Sequence, residues 1–148
     1  MPIRITGAQT TVPGEILASV VGDPANTSTV NVSTSFANFL TNMSFKADRR
    51  AAVISAYFWI EKTTSTSDQE IIVRLTESGN IVANSARRFH VFTEPSSAQM
   101  ILCQWSVELT DGNNYSYRPQ IAKGSSSQTI NVRAGGEYPM YLFQAIGL

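Results

Sequence analysis

Few residues in this chain are of types that do chemistry. His90 is the single histidine among 148 residues and stands in Arg87-Arg88-Phe89-His90-Val91-Phe92. General-base work would need a nucleophile and an orienting acid delivered to it from elsewhere, so a surface or structural histidine on a strand is expected. No Gly-x-Ser-x-Gly elbow, His-Glu-x-x-His or Cys-x-x-Cys spacing occurs. Asp68 and Glu70 fall two apart, on one face of a strand start, where a carboxylate pair could act on a glycosidic bond. Acids at that position also deter edge-to-edge strand pairing, and this is the preferred reading. Thr110-Asp111-Gly112-Asn113-Asn114 lacks the spaced oxygen ligands and closing glutamate of a calcium loop, and reads as a hairpin turn. A non-enzymatic protein with no cofactor and no metal is expected.

Arginine offers the sharper signals. Arg49-Arg50 and Arg87-Arg88 read either as solvated turn residues or as a docking set, because a planar guanidinium pairs bidentately with carboxylates on a partner. Tyr115, Tyr117 and Arg118 form a second candidate set, for glycan contact, since aromatic faces stack on sugars and arginine engages acidic groups. Those tyrosines also suit the inside of a sandwich.

Charge and cysteine usage exclude further classes. With 11 basic and 11 acidic side chains the formal charge is zero, so the attraction that draws a protein to nucleic acid or anionic lipid is missing. Cys103 is the only cysteine, which rules out an intrachain disulfide. No apolar run reaches the length of a membrane helix, and Met1 to Thr11 lacks the apolar core of a signal peptide. Sequons at Asn26, Asn31, Asn42 and Asn114 are read as a side effect of abundant Asn, Ser and Thr. Synthesis in a cytoplasm is expected.

The elements that must position these residues are strands. Straight-chain helix formers are scarce, and alternating runs are separated by polar turns such as Gly22 to Ser28, Thr63 to Asp68 and Lys123 to Ser127. The pattern predicts strands over 15–21, 29–34, 39–45, 51–62, 70–76, 86–93, 98–109, 114–122, 128–133 and 137–147. An N-terminal arm over 1–13 precedes one domain over 14–148, an antiparallel sandwich. Phe36, Phe39, Leu40 and Met43 also fit a helical period, but Phe39, Met43 and Phe45 on one strand face is preferred. Cys103, Trp105, Val107 and Leu109 share one face, as do Tyr115, Tyr117, Pro119 and Ile121, which predicts a hairpin around residues 110–114.

Two strands are apolar on both sides. In Ala51 to Lys62, Ile54, Ala56, Phe58 and Ile60 form one face, while Val53, Tyr57 and Trp59 form the other. In Glu137 to Leu148, Tyr138, Met140, Leu142 and Ile146 oppose Tyr141, Phe143 and Ala145. A sandwich strand turns one face to the core, so the second face needs separate cover. In a single domain that cover is another subunit, and Val53, Tyr57, Trp59, Tyr141 and Phe143 are the expected subunit interface.

The order of these features resembles the tumour necrosis factor-like and complement-head-like jelly roll. In that family about ten short strands form two sheets, and three subunits meet about an axis near the final strand. Pro13 to Gly22, Thr27 to Phe45 and Ala52 to Thr66 are also similar in pattern to small head and tail proteins of tailed bacteriophages with this fold. Where the broader family has a Gly-Asp-Trp turn before its fourth strand, this chain has Lys46-Ala47-Asp48-Arg49-Arg50. The resemblance implies a homotrimeric virion protein, made in a bacterial host, that decorates the capsid by binding the major capsid protein. Its initiator Met and length suit a stand-alone copy. A receptor-binding tip or short tail fibre that recognises host surface glycans is the alternative.

Overall fold

Pairing between alternating strands accounts for all the regular structure seen. The computed structural model describes residues 13–21, 29–62, 69–91, 97–124, 129–133 and 141–148, and every regular element among them is a strand. In chain order these are β1 (Ile16–Val21), β2 (Thr29–Asn31), β3 (Ala37–Asn38), β4 (Met43–Lys46), β5 (Ala51–Lys62) and β6 (Gln69–Glu77). They continue with β7 (Asn80–Ile81), β8 (Arg87–Val91), β9 (Ser97–Glu108), β10 (Asn114–Lys123), β11 (Ile130–Arg133) and β12 (Leu142–Gly147). The expected arm over residues 1–13 lies almost wholly outside the described residues, as do Asp68, Tyr138 and Met140.

Two six-stranded antiparallel sheets result. In the first, one edge of β5 pairs along its whole length with β9. Its other edge is shared end to end by β12 and β11, beyond which lie β1 and β2. In the second, β10 pairs on one edge with β6 and on the other with β4 and β3, while β8 and β7 close the far side of β6. The main strands therefore run β1-β12-β5-β9 in one sheet and β4-β10-β6-β8 in the other, the order of a jelly roll with its two Greek keys.

Alternation decides what lies between the sheets. Ala52, Ile54, Ala56, Phe58 and Ile60 of β5 point inward with Ile101, Cys103 and Trp105 of β9. They meet Ile71, Val73 and Leu75 of β6 and Tyr117 and Ile121 of β10, all buried. Phe39 packs edge-on to Phe58 with ring centroids 4.8 Å apart. Phe39, Met43 and Phe45 share the inward side, as the strand reading requires, but two short strands, β3 and β4, replace the single one expected over 39–45. The helical alternative for this stretch is not formed.

The expected hairpin around residues 110–114 is also corrected. β9 and β10 belong to different sheets, so the turn arches across the sandwich instead of folding one strand back on the other. The faces were legible and the pairing was not: both strands turn their apolar sides toward each other across the core. The arch is held by Gly112 N donating to Ala47 O and Ala47 N donating to Asn113 O, each 2.8 Å, with Gly112 at φ +85, a backbone region that only glycine enters freely.

Candidate functional site

Residues directly opposite each other in an antiparallel sheet point to the same face, so the register of the β1-β12-β5-β9 sheet fixes what it presents outward. One outward row runs Val21, Leu142, Tyr57, Leu102. Another runs Ile16, Ile146, Val53, Ser106, and Trp59 stands beside Met100. Between the two long rows lies a polar one, Ser19, Gln144, Ser55, Gln104, in which Gln104 Nε2 donates to Ser55 Oγ at 3.3 Å. Ile16 is 58%, Val21 50%, Leu102 49% and Met100 44% exposed, so most of the large exposed apolar residues among the described ones lie on this one face. Val53, Tyr57 and Trp59 sit among them, half-buried.

Phe143 and Tyr141 do not belong to that face. Phe143 lies opposite Ala56, fully buried in the core. Tyr141 packs against the same core and its hydroxyl shares a hydrogen bond with Thr41 Oγ1 at 3.0 Å. The outward apolar residues of β12 are Leu142 and Ile146, one residue out of step with the expectation. The sequence held the signal: Gln144 is the polar residue of that strand, and its parity marks the outward side.

The arginine set separates in the same way. Arg49 is 5% exposed and cannot dock a partner. Its Nη2 donates to Glu15 Oε2 at 2.7 Å and its Nε to Asp48 Oδ1 at 2.6 Å, joining the start of β1 to the turn before β5. These hydrogen bonds hold the Asp48 carboxyl below its ordinary range and push the Arg49 guanidinium further up. Arg87 turns its Nη1 back onto the carbonyls of Asn84 and Ala86 at 2.9 and 3.1 Å, bracing its own loop. Arg50 is exposed, and Arg88 is exposed while paired with Glu70 through Nη1. Arg50 and Arg88 alone keep a surface position suited to docking.

For the proposed glycan contacts, Tyr117 is 1% exposed, and burial drives its phenol well above the ordinary value. Tyr115 stacks on Phe45 at 6.1 Å, half-buried, and its hydroxyl accepts from Thr110 N at 2.7 Å. Inward parity on β10 is the reason for both. Arg118 lies on the outward side of the same strand, its Nε donating to Leu40 O at 2.7 Å. Sequence reading missed Arg74 and Phe36 on this second outer face, where the guanidinium carbon lies 3.8 Å from the ring centroid. Nothing in their spacing joins them, because residues 36 and 74 meet only through sheet pairing.

His90 lies on β8 opposite Glu70, whose Oε1 accepts from Arg88 Nη1. Among the described residues, no three His, Cys, Asp or Glu side chains gather closely enough to hold a metal ion. Cys103 is buried, and desolvation pushes its thiol up to about 12.

No family model and no curated protein matches this chain. Among solved structures it is similar to the CBM22-1 xylan-binding domain of Xyn10C from Paenibacillus barcinonensis, with 5% identity and a TM-score of 0.40 over 94% of this chain and 99% of that one.

Proposed function

We propose that this chain is a non-enzymatic structural protein that assembles as a homotrimer through the outer face of the β1-β12-β5-β9 sheet and works by fitting a larger surface. The observation that carries the reading is the apolar band Val21, Leu142, Tyr57, Leu102 with Met100 and Trp59 beside it. An exposed patch of that kind on a monomer is an aggregation liability. Obligate interfaces bury roughly 2,000 Å² or more, and apolar area contributes roughly 25 cal/mol per Å² before association costs. The polar row, through Gln104 and Gln144, supplies the directional contacts that set register between copies.

Taken with the resemblance to small phage head proteins, the assembly acts as a capsid decoration protein, with the exposed Arg50 and Arg88 meeting acidic groups of the major capsid protein. The receptor-tip alternative is weakened at its chosen residues, since Tyr117 is closed to any ligand. Sedimentation equilibrium at micromolar concentration tests the first step, with a trimer expected and a stable monomer overturning it. Co-sedimentation with capsids stripped of accessory proteins tests the second, with saturable binding expected near one trimer per threefold site. Binding to host cells and not to capsids would move the protein to the tail.

A further inference from the structure

We infer that the groove between the outward side of β6 and the loop from β7 to β8 is a binding site for a carboxylated sugar. It lies on the sheet opposite the apolar band and does not rest on the trimer contact, and it shares Arg88 with the proposed capsid-docking pair. The groove measures about 400 Å³, with Ile72, Ile81 and Val82 as its apolar walls and Phe36, Arg74 and Arg88 supplying the rest of its chemistry.

Arg74 is held in place before any ligand arrives. Its guanidinium lies over Phe36, and its Nε donates to Gln120 Oε1 at 2.8 Å, while Gln120 Nε2 donates in turn to Asn38 Oδ1 at 3.1 Å. Neither terminal nitrogen of Arg74 has a hydrogen-bond or ion-pair partner among the described residues. A guanidinium fixed along one edge, with its other edge open, is shaped for bidentate contact with a carboxylate. Among the described residues, Arg88 in the lining is engaged through Nη1 alone, by Glu70. Among the described residues the lining holds two guanidiniums and no carboxylate, in a chain of zero formal charge.

The opposite wall is equally fixed. Ser85 Oγ accepts from Leu75 N at 3.1 Å and donates to Leu75 O at 3.2 Å. Trp105 Nε1 donates to Ser85 O at 2.6 Å, and Arg87 secures Asn84 and Ala86 from the other side. Asn84 sits at φ +56, a conformation that this bracing maintains. Preorganisation of both walls removes ordering cost from binding. Ile81, 58% exposed, offers an apolar surface for the C–H face of a ring while the carboxyl group reaches Arg74. The volume falls in the range of small-ligand sites, whereas a docked protein would need roughly 800 Å² on each side.

The test is a nitrogen–proton NMR titration of the full chain with oligosaccharides of glucuronic, galacturonic and sialic acid, each beside its carboxyl-reduced counterpart, and with a tetraglutamate peptide. At least one acidic sugar is expected to give saturable shifts at Ile81, Asn84 and the Arg74 Nε–H, with its reduced form weaker by about tenfold or more. Arg74→Gln is expected to lose a similar factor with its melting temperature kept, and Lys46→Ala, an exposed cation outside the groove, to leave sugar binding unchanged. Failure of all three acidic sugars, equal binding of the reduced forms, equal binding of tetraglutamate, or shifts elsewhere on the surface would each overturn the assignment. Should Arg74→Gln fail to fold, the shift map of the unaltered protein decides.

Discussion

The Arg49 guanidinium lies across the Cα of Gly147, in space that a side chain on residue 147 would occupy. A Cβ there would overlap Nη1, Cζ and Cδ of the arginine. Gly147 is therefore required by close approach, and it lets one buried cation tie the end of β12 to Glu15 and Asp48. Gly147→Ala is expected to displace Arg49 and cost about 1–3 kcal/mol in denaturant unfolding. Since both changes break the same contacts, Gly147→Ala combined with Arg49→Ala should be little worse than Arg49→Ala alone. Full additivity would show that the two residues act separately.

Acid should expose the same cluster. The hydrogen bond from Arg49, opposed by desolvation and aided by the charge of Arg49, holds the Asp48 carboxyl below its ordinary 3.8. A folded-state pKa lower than the unfolded one contributes stability that is present above the unfolded value and is lost as pH falls through the folded value. Stability measured by urea titration should therefore fall below about pH 4 in the native protein. In Asp48→Asn that fall should be shallower, and identical slopes would dissociate Asp48 from the acid response.

At the alkaline end the sign reverses. Burial raises the Cys103 thiol to about 12, opposed by the charge of Arg87, and burial raises the Tyr117 phenol as well. Groups whose folded pKa is raised contribute stability that is complete below their unfolded values and disappears as pH rises through the folded ones. The folded protein should accordingly resist an aromatic disulfide reagent at pH 8 and react with it on unfolding, because the thiolate is the nucleophile. Prompt labelling of the native state would mean that the core around Trp105 and Cys103 opens freely.

The strands and the inward faces were legible because period-two alternation is local: β5 matches its expected bounds of 51–62, and the inward sets of β9 and β10 were read correctly. What failed required non-local knowledge. Phe143 was assigned outward because both sides of its strand are apolar, and only the partnership with Ala56 settles the parity. The β9–β10 turn was read as a hairpin because an arch and a hairpin have the same local pattern, and they differ only in which strands lie beside them. Arg49 reads from sequence as a solvated turn residue or a docking residue, and it is buried because Asp48 and the distant Glu15 both pair with it. The Phe36–Arg74 contact depends on β10 lying between their strands, and no window of sequence contains it.

The apolar band makes a demand on mutation that a monomer would not. Leu102 and Met100 are outward on β9, roughly half exposed, and make no part of the core, so Leu102→Glu with Met100→Lys should leave the monomer fold intact. In a trimer joined through this face the same changes put charges into a desolvated interface, at a cost of several kcal/mol for each unpaired ion. Sedimentation velocity should then show a monomer at concentrations where the unaltered chain is trimeric, while circular dichroism keeps its strand signal. Phe143→Glu is the opposite case: its side chain lies between the sheets, so the change should unfold the chain outright. A trimer that survives both outward charges would place the subunit contact elsewhere.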